Sequence, residues 1–165
     1  MITPELARFI ESGISVLVGT RDARLRPDCV RAAGVRADAA AGTLTVFLPA
    51  ATAERALANL ADNGRIAVTV TRAIDHRSLQ IKGGVVEVRP SSPDEQSFIE
   101  RYLELLAVDW GHVGVPRKST RSMNAWPAYT VHLRAETLFE QTPGPDAGQR
   151  LTPEAAAQSH RAGAR

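Results

Sequence analysis

Ser78-Leu79-Gln80-Ile81-Lys82-Gly83-Gly84-Val85-Val86-Glu87-Val88-Arg89 carries the clearest architectural signal in the chain. Leu79 and Ile81 are apolar at odd positions, and Ser78, Gln80 and Lys82 alternate with them on one polar face. Beyond Gly83-Gly84 the apolar residues Val86 and Val88 fall at even positions. A period of two that changes phase at a pair of glycines is what a β-bulge or sharp bend produces. Barrels use such bends to close.

Working outward, the chain on both sides supplies more strands. Upstream, Ile66, Val68 and Val70 alternate with Ala67, Thr69 and Thr71, a strand with one half-polar face. The helical spacing of 52–63 puts Leu57, Leu60 and Ala61 inward, with Gly64 at the C-cap. Before it, the run 43–48 (TLTVFL) reads as a strand stopped by Pro49, and 26–35 reads as one strand. The run 14–20 (ISVLVGT) is apolar on both faces and reads as a buried strand. Thr3-Pro4-Glu5 opens a first helix, with Leu6, Phe9 and Ile10 as its stripe and Gly13 at its end. Downstream, Ser92-Pro93-Asp94-Glu95 opens a helix with a wide apolar face made of Phe98, Ile99, Tyr102, Leu103, Leu105 and Leu106. Residues 109–126 carry no clear period, and 129–139 read as a last strand. Six or so strands with two or three flanking helices, not in regular alternation, predict a mainly β, mostly antiparallel split barrel and exclude a doubly wound parallel sheet.

The 165 residues suit one domain. Its body is expected over 1–142 and a loosely packed, Pro-, Gly- and Ala-rich tail over 143–165. No apolar run approaches the ~20 residues needed to cross a bilayer. The start of the chain lacks the order of a secretion signal, and a single cysteine, Cys29, suits a reducing compartment, so a cytoplasmic, soluble protein without membrane partners is expected. The pI of about 9.1 points toward nucleic acid, but a net charge of +2 and 5% aromatic residues supply neither a basic stripe nor a stacking platform. No nucleic-acid partner is expected.

Several chemistries are missing from the sequence. There is no G-x-G-x-x-G, Walker loop or G-x-S-x-G elbow. His76, His112, His132 and His160 are scattered, and no two have helical ligand spacing, so no metal site is expected. Cys29 reads better as a small buried hydrophobe than as a nucleophile, because no histidine has a visible reason to sit beside it. No catalytic acid or base can be named.

Three local patterns resemble the pyridoxamine 5'-phosphate oxidase-like split barrels. The first is Arg26-Pro27-Asp28-Cys29-Val30-Arg31. The second is the strand, loop, helix and strand of residues 45–70 (TVFLPAATAERALANLADNGRIAVTV), in which Asn63-Gly64-Arg65 forms the turn after the helix. The third is Ser78-Leu79-Gln80-Ile81-Lys82-Gly83. Their order and spacing carry the resemblance over about 14–89, and the segment TPGPDAG fits it too. It implies a homodimer that holds FMN in clefts between subunits, and a flavin-dependent oxidoreductase acting on a small molecule. Position by position, it implies Arg31 as a phosphate ligand. Arg55 would be a cation in the first helical turn, and Thr52, Ala53 and Glu54 would offer free backbone N–H groups to an anion. Ser78, Gln80 and Lys82 would contact the ring edge and phosphate from one strand face. Trp110, His112 and Trp126 are candidate walls. For each cation there is a plainer reading: Arg55 as a solvated charge, Arg31 as the partner of Asp28 or Asp38. Arg55 is followed by Ala56 where the oxidase has a basic pair, and the oxidase's C-terminal substrate segment has no counterpart. Vitamin B6 oxidation is therefore disfavoured against a generic flavin reductase. Related split barrels take a deazaflavin or haem, and a cofactor-free binding module is the remaining alternative.

Overall fold

A computed structural model describes residues 2–152 of the chain. In order, its elements are α1 (Pro4–Ile10), β1 (Ser15–Arg21), β2 (Pro27–Arg31), β3 (Gly34–Asp38), β4 (Thr43–Pro49), α2 (Glu54–Asn63), β5 (Arg65–Thr71), β6 (Ser78–Pro90), α3 (Pro93–Gly111), α4 (Arg117–Arg121), β7 (Ala128–Glu140) and β8 (Arg150–Leu151). The strands form one antiparallel sheet in the order β2-β1-β5-β6-β7-β4-β3, and β8 pairs with β7. The expected tail lies outside the described residues from position 153 on.

The sheet curls because one segment serves both of its ends. Residues 26–35, read as a single strand, divide into β2 and β3 at Ala32-Ala33. The Ala32 N–H donates to Val16 O of β1 at 3.0 Å, and the Ala33 N–H donates to Phe47 O of β4 at 2.7 Å. Consecutive peptides thus pair with opposite edges of the sheet, which is how a split barrel closes. Both alanines are buried, and their small side chains allow the crossing.

β6 carries the bend that its sequence predicts. Its register against β7 slips between Lys82 and Gly83 and again between Val85 and Glu87. Gly83 is required there: a Cβ would sit 1.9 Å from Arg134 O. Beyond the bend the alternating valines do not enter the core. Val86 is the extra residue of the second bulge, and Val86 and Val88 are 61% and 42% exposed. β5 ends its pairing at Arg65–Gly84, so the far half of β6 has β7 alone as a neighbour and runs past the core. Similarly, Leu17 in the run read as buried on both faces is 37% exposed, while Val16 and Val18 face inward. Cys29, expected to be buried, is exposed on β2.

The core is lined by Val16, Val18, Val46, Leu48, Val68, Val70, Leu79, Ile81, Val131, Leu133 and Leu138. α1 adds Leu6, Phe9 and Ile10, and its Thr3 cap accepts the Leu6 N–H at 3.2 Å. α3 locks the structure from outside. The Tyr102 hydroxyl lies 2.9 Å from Ile10 O and 3.1 Å from Ile14 O, joining α3 to the α1–β1 turn. Gly13 in that turn has φ 78°, and a Cβ there would lie 2.1 Å from Leu105 Cβ. At the start of α3, the buried Glu95 accepts from Ser92 N (2.7 Å), both Arg89 guanidinium nitrogens (2.8 Å each) and Thr130 Oγ1 (2.9 Å). These donors hold its carboxyl down at about 2, with Arg89 the largest cause. Among the described residues no helix is long and apolar enough to cross a membrane.

Candidate functional site

The strand register places the polar residues of the sheet's outer face in cross-strand rows. Arg31 pairs with Leu17, Leu17 with Thr69, Thr69 with Gln80 and Gln80 with Phe139. The next row runs Cys29, Gly19, Ala67, Lys82 and Thr137. Directly opposed residues share a face, so Arg31, Gln80 and Lys82 all stand on the same side of the sheet. Between them lie Leu17 and the small residues Gly19 and Ala67. At about 4.8 Å per strand, Arg31 and Gln80 are roughly 14 Å apart along their row.

Arg31 sits at the junction of this face with a second feature. Together with Thr52 it lines a cavity of about 180 Å³, walled by Ala32, Ala33, Leu103 and Met123. Its guanidinium donates to Ser15 Oγ at 2.7 Å and stacks 5.1 Å from the Trp110 ring centroid. Neither Asp28 nor Asp38 pairs with it, and among the described residues it has no carboxylate within ion-pairing distance. Burial pushes its pKa down, which is the electrostatic signature of a cation lacking a counter-charge.

The other expected ligands are distributed around this point. Gln80 and Lys82 share a shallow depression of about 370 Å³ with Gly19, Ala67, Arg21 and Arg65. The Gln80 amide donates to Thr69 Oγ1 at 3.0 Å, and the Lys82 ammonium lies 4.7 Å from the Phe139 ring centroid. Arg65 is already committed to Glu136, with contacts of 3.0 and 2.7 Å. Ser78 is buried and bonded to Thr71 Oγ1 and His76 O, both at 2.9 Å. Arg55 is exposed and lies 3.9 Å from Asp28. The chain therefore unites Arg31 with Thr52, and Gln80 with Lys82, in two separate recesses.

The helix start also differs from its sequence reading. α2 begins at Glu54, its N-cap is Ala53, and no side chain caps it. The Thr52 N–H is taken by Pro49 O at 3.1 Å, because residues 49–52 form a tight turn before the helix. Thr52 thus offers its exposed hydroxyl, which also reaches Pro49 O at 3.4 Å, and the free donors belong to the residues after it. Of the aromatic candidates, Trp110 reaches Arg31. His112 is exposed at the end of α3, and Trp126 lines a different groove, between α3 and α4. Sequence reasoning missed Leu103, Met123, Asn124 and Ala125 as pocket walls. Residues 109–126 lack a period because α3 ends within them at Gly111 and the five-residue α4 follows, so no signal beyond Pro116 marked the wall.

No family model matches the chain, and no curated protein matches it in sequence. Solved structures do. A Lactobacillus delbrueckii protein described as a candidate pyridoxamine 5'-phosphate oxidase matches with a TM-score of 0.53 at 16% identity, over 83% of this chain and 92% of its own. An F420 reductase matches with a TM-score of 0.51 at 16% identity, over 82% and 98%. An FMN-binding protein from Syntrophomonas wolfei matches with a TM-score of 0.50 at 12% identity, over 81% of both chains. With the closure through Ala32-Ala33 and the bulged β6, these likenesses establish that the chain has the split-barrel fold of the pyridoxamine 5'-phosphate oxidase-like proteins.

Proposed function

We propose that this protein binds FMN by its phosphate at Arg31 and acts as a flavin-dependent oxidoreductase on a small molecule. The observation that carries the reading is Arg31 itself: half-buried, stacked on Trp110, and without a carboxylate partner among the described residues. A guanidinium so placed is ready for a bidentate oxyanion, and the Thr52 hydroxyl lies in the same recess. A cavity of about 180 Å³ is small for a whole flavin mononucleotide and mostly apolar, so only the phosphate end reaches Arg31 and Thr52 at its edge. The flat ring then lies over Leu17, Gly19 and Ala67 toward Gln80 and Lys82. FMN bound there supplies hydride or electron transfer, while the protein supplies position and charge.

A homodimer completes this arrangement. Leu17 at 37% exposure stands on an open, mixed apolar and polar sheet face, which a second copy would cover while enclosing the ring. Sequence content fits a cytoplasmic setting. The same oxyanion chemistry admits a deazaflavin, and the likeness to an F420 reductase keeps that cofactor as the second reading. Haem is also implied by the sequence resemblance, and Met123 in the wall of this recess is the one side chain there of a type that can ligate its iron.

Parallel titration with FMN, F420 and haem separates these readings. FMN is expected to bind with micromolar or tighter affinity, an order of magnitude suited to a resident cofactor. Binding of F420 or haem in preference to FMN would move the assignment, and binding of none would leave a cofactor-free module.

A further inference from the structure

A second polar recess lies on a different part of the molecule and shares no lining residue with the Arg31 pocket. It is a cleft of about 750 Å³ bounded by α1, β3, β4, α3 and β7. Its floor is the ring of Phe98, itself packed on Phe47 at 5.3 Å. Two guanidiniums from different elements converge on that ring: Arg36 of β3 at 4.2 Å from the centroid and Arg101 of α3 at 5.5 Å. Neither makes a hydrogen bond or ion pair among the described residues, whereas most arginines elsewhere in the fold do.

Stacking on an aromatic face engages the plane of a guanidinium and leaves its in-plane N–H fork free. Here two such forks open into one cleft. The register adds further polar groups beside them, since Arg36 pairs with Thr45 and Thr45 with His132. The His132 Nδ1 is bonded to Thr45 Oγ1 at 3.1 Å, so its other ring nitrogen remains available. The two carboxylates of the cleft turn one oxygen each to the backbone, Glu11 accepting the Ala37 N–H at 2.7 Å and Asp38 the Ala41 N–H at 2.9 Å, and neither forms an ion pair with Arg36 or Arg101. Like charges brought together over one ring, with neither paired, are stabilised by an oxyanion between them.

We propose that this cleft is a second ligand site, which takes the oxyanion group of a small molecule, a carboxylate or a phosphate, between Arg36 and Arg101. Its contacts are independent of the flavin reading, because no residue is common to the two recesses.

NMR of the full-length protein labelled with ¹⁵N tests this by following the Arg Nε–H signals during titration with inorganic phosphate and, separately, with succinate, each matched in ionic strength by sodium chloride. At least one of the two is expected to give saturable shifts at Arg36 and Arg101 that chloride does not reproduce. The ligand that saturates at lower concentration identifies the group as phosphate or carboxylate. Arg36→Gln and Arg101→Gln should each weaken that binding by about tenfold or more, as loss of one charge-assisted contact implies. Unchanged backbone spectra and FMN titrations would show both variants folded. Shifts with both ligands no larger than those with chloride would overturn the proposal. So would saturable binding that survives both substitutions.

Discussion

At the scale of the single residue, Arg31 and Glu95 are two arrangements of buried charge with opposite meanings. Glu95 is saturated by Arg89, Ser92 and Thr130, so it serves structure. Its folded pKa of about 2 lies below the ordinary 4.5, so its stabilisation is fully present above the ordinary value. It is lost as pH falls from about 4.5 toward 2, an amount of roughly 3 kcal/mol. Glu95→Gln should therefore lower stability at neutral pH and flatten the acid limb of a denaturation profile; an unchanged acid limb would contradict the cause assigned. Arg31, in contrast, has only Ser15 and Trp110 for partners. Arg31→Ala is expected to weaken FMN binding by ten- to a hundredfold, the worth of one charge-assisted hydrogen bond of about 1.5–3 kcal/mol. Lys82, exposed beside Phe139, should matter less to the phosphate and more to the ring.

At the scale of elements, the legible parts of the sequence were those with a local cause. Thr3-Pro4 and Ser92-Pro93 announced α1 and α3 because helix starts are written in side-chain chemistry. Gly83-Gly84 announced the bend of β6 because a Cβ at Gly83 meets backbone. What stayed hidden was decided by tertiary pairing. The division at Ala32-Ala33 depends on which edge each peptide meets, and nothing in two alanines declares that. Likewise Val86 and Val88 alternate as though buried, yet β5 stops short of them. The candidate site was legible to the same degree. Ser78, Gln80 and Lys82 were read as one polar strand face, yet Ser78 is buried, and that Arg31 joins Thr52 while Gln80 and Lys82 stand in another recess depends on register across four strands. Two glycines sharpen the point about packing. Gly13→Ala forces a Cβ onto Leu105 in a left-handed turn and should cost more than about 2 kcal/mol in denaturant unfolding. Gly111→Ala, on the last residue of α3 with nothing within 4 Å, should be neutral or stabilise by up to about 1 kcal/mol.

At the scale of the whole molecule, the barrel presents an outer sheet face bearing Arg31, Leu17, Gln80 and Lys82, and the proposed function rests on that face. Light scattering at micromolar concentration is expected to give twice the 17.7 kDa chain mass; the single mass would mean that no second copy closes over the ring. The claim that a phosphate is held at Arg31 is tested most directly by the ratio of FMN to riboflavin affinity, measured by fluorescence titration of the native protein and of Arg31→Ala. Riboflavin has the same ring and lacks the phosphate. The native protein should favour FMN by about ten- to a hundredfold, and the variant should bring the two affinities close together. Equal affinities in the native protein, or a preference that survives in Arg31→Ala, would contradict the assignment.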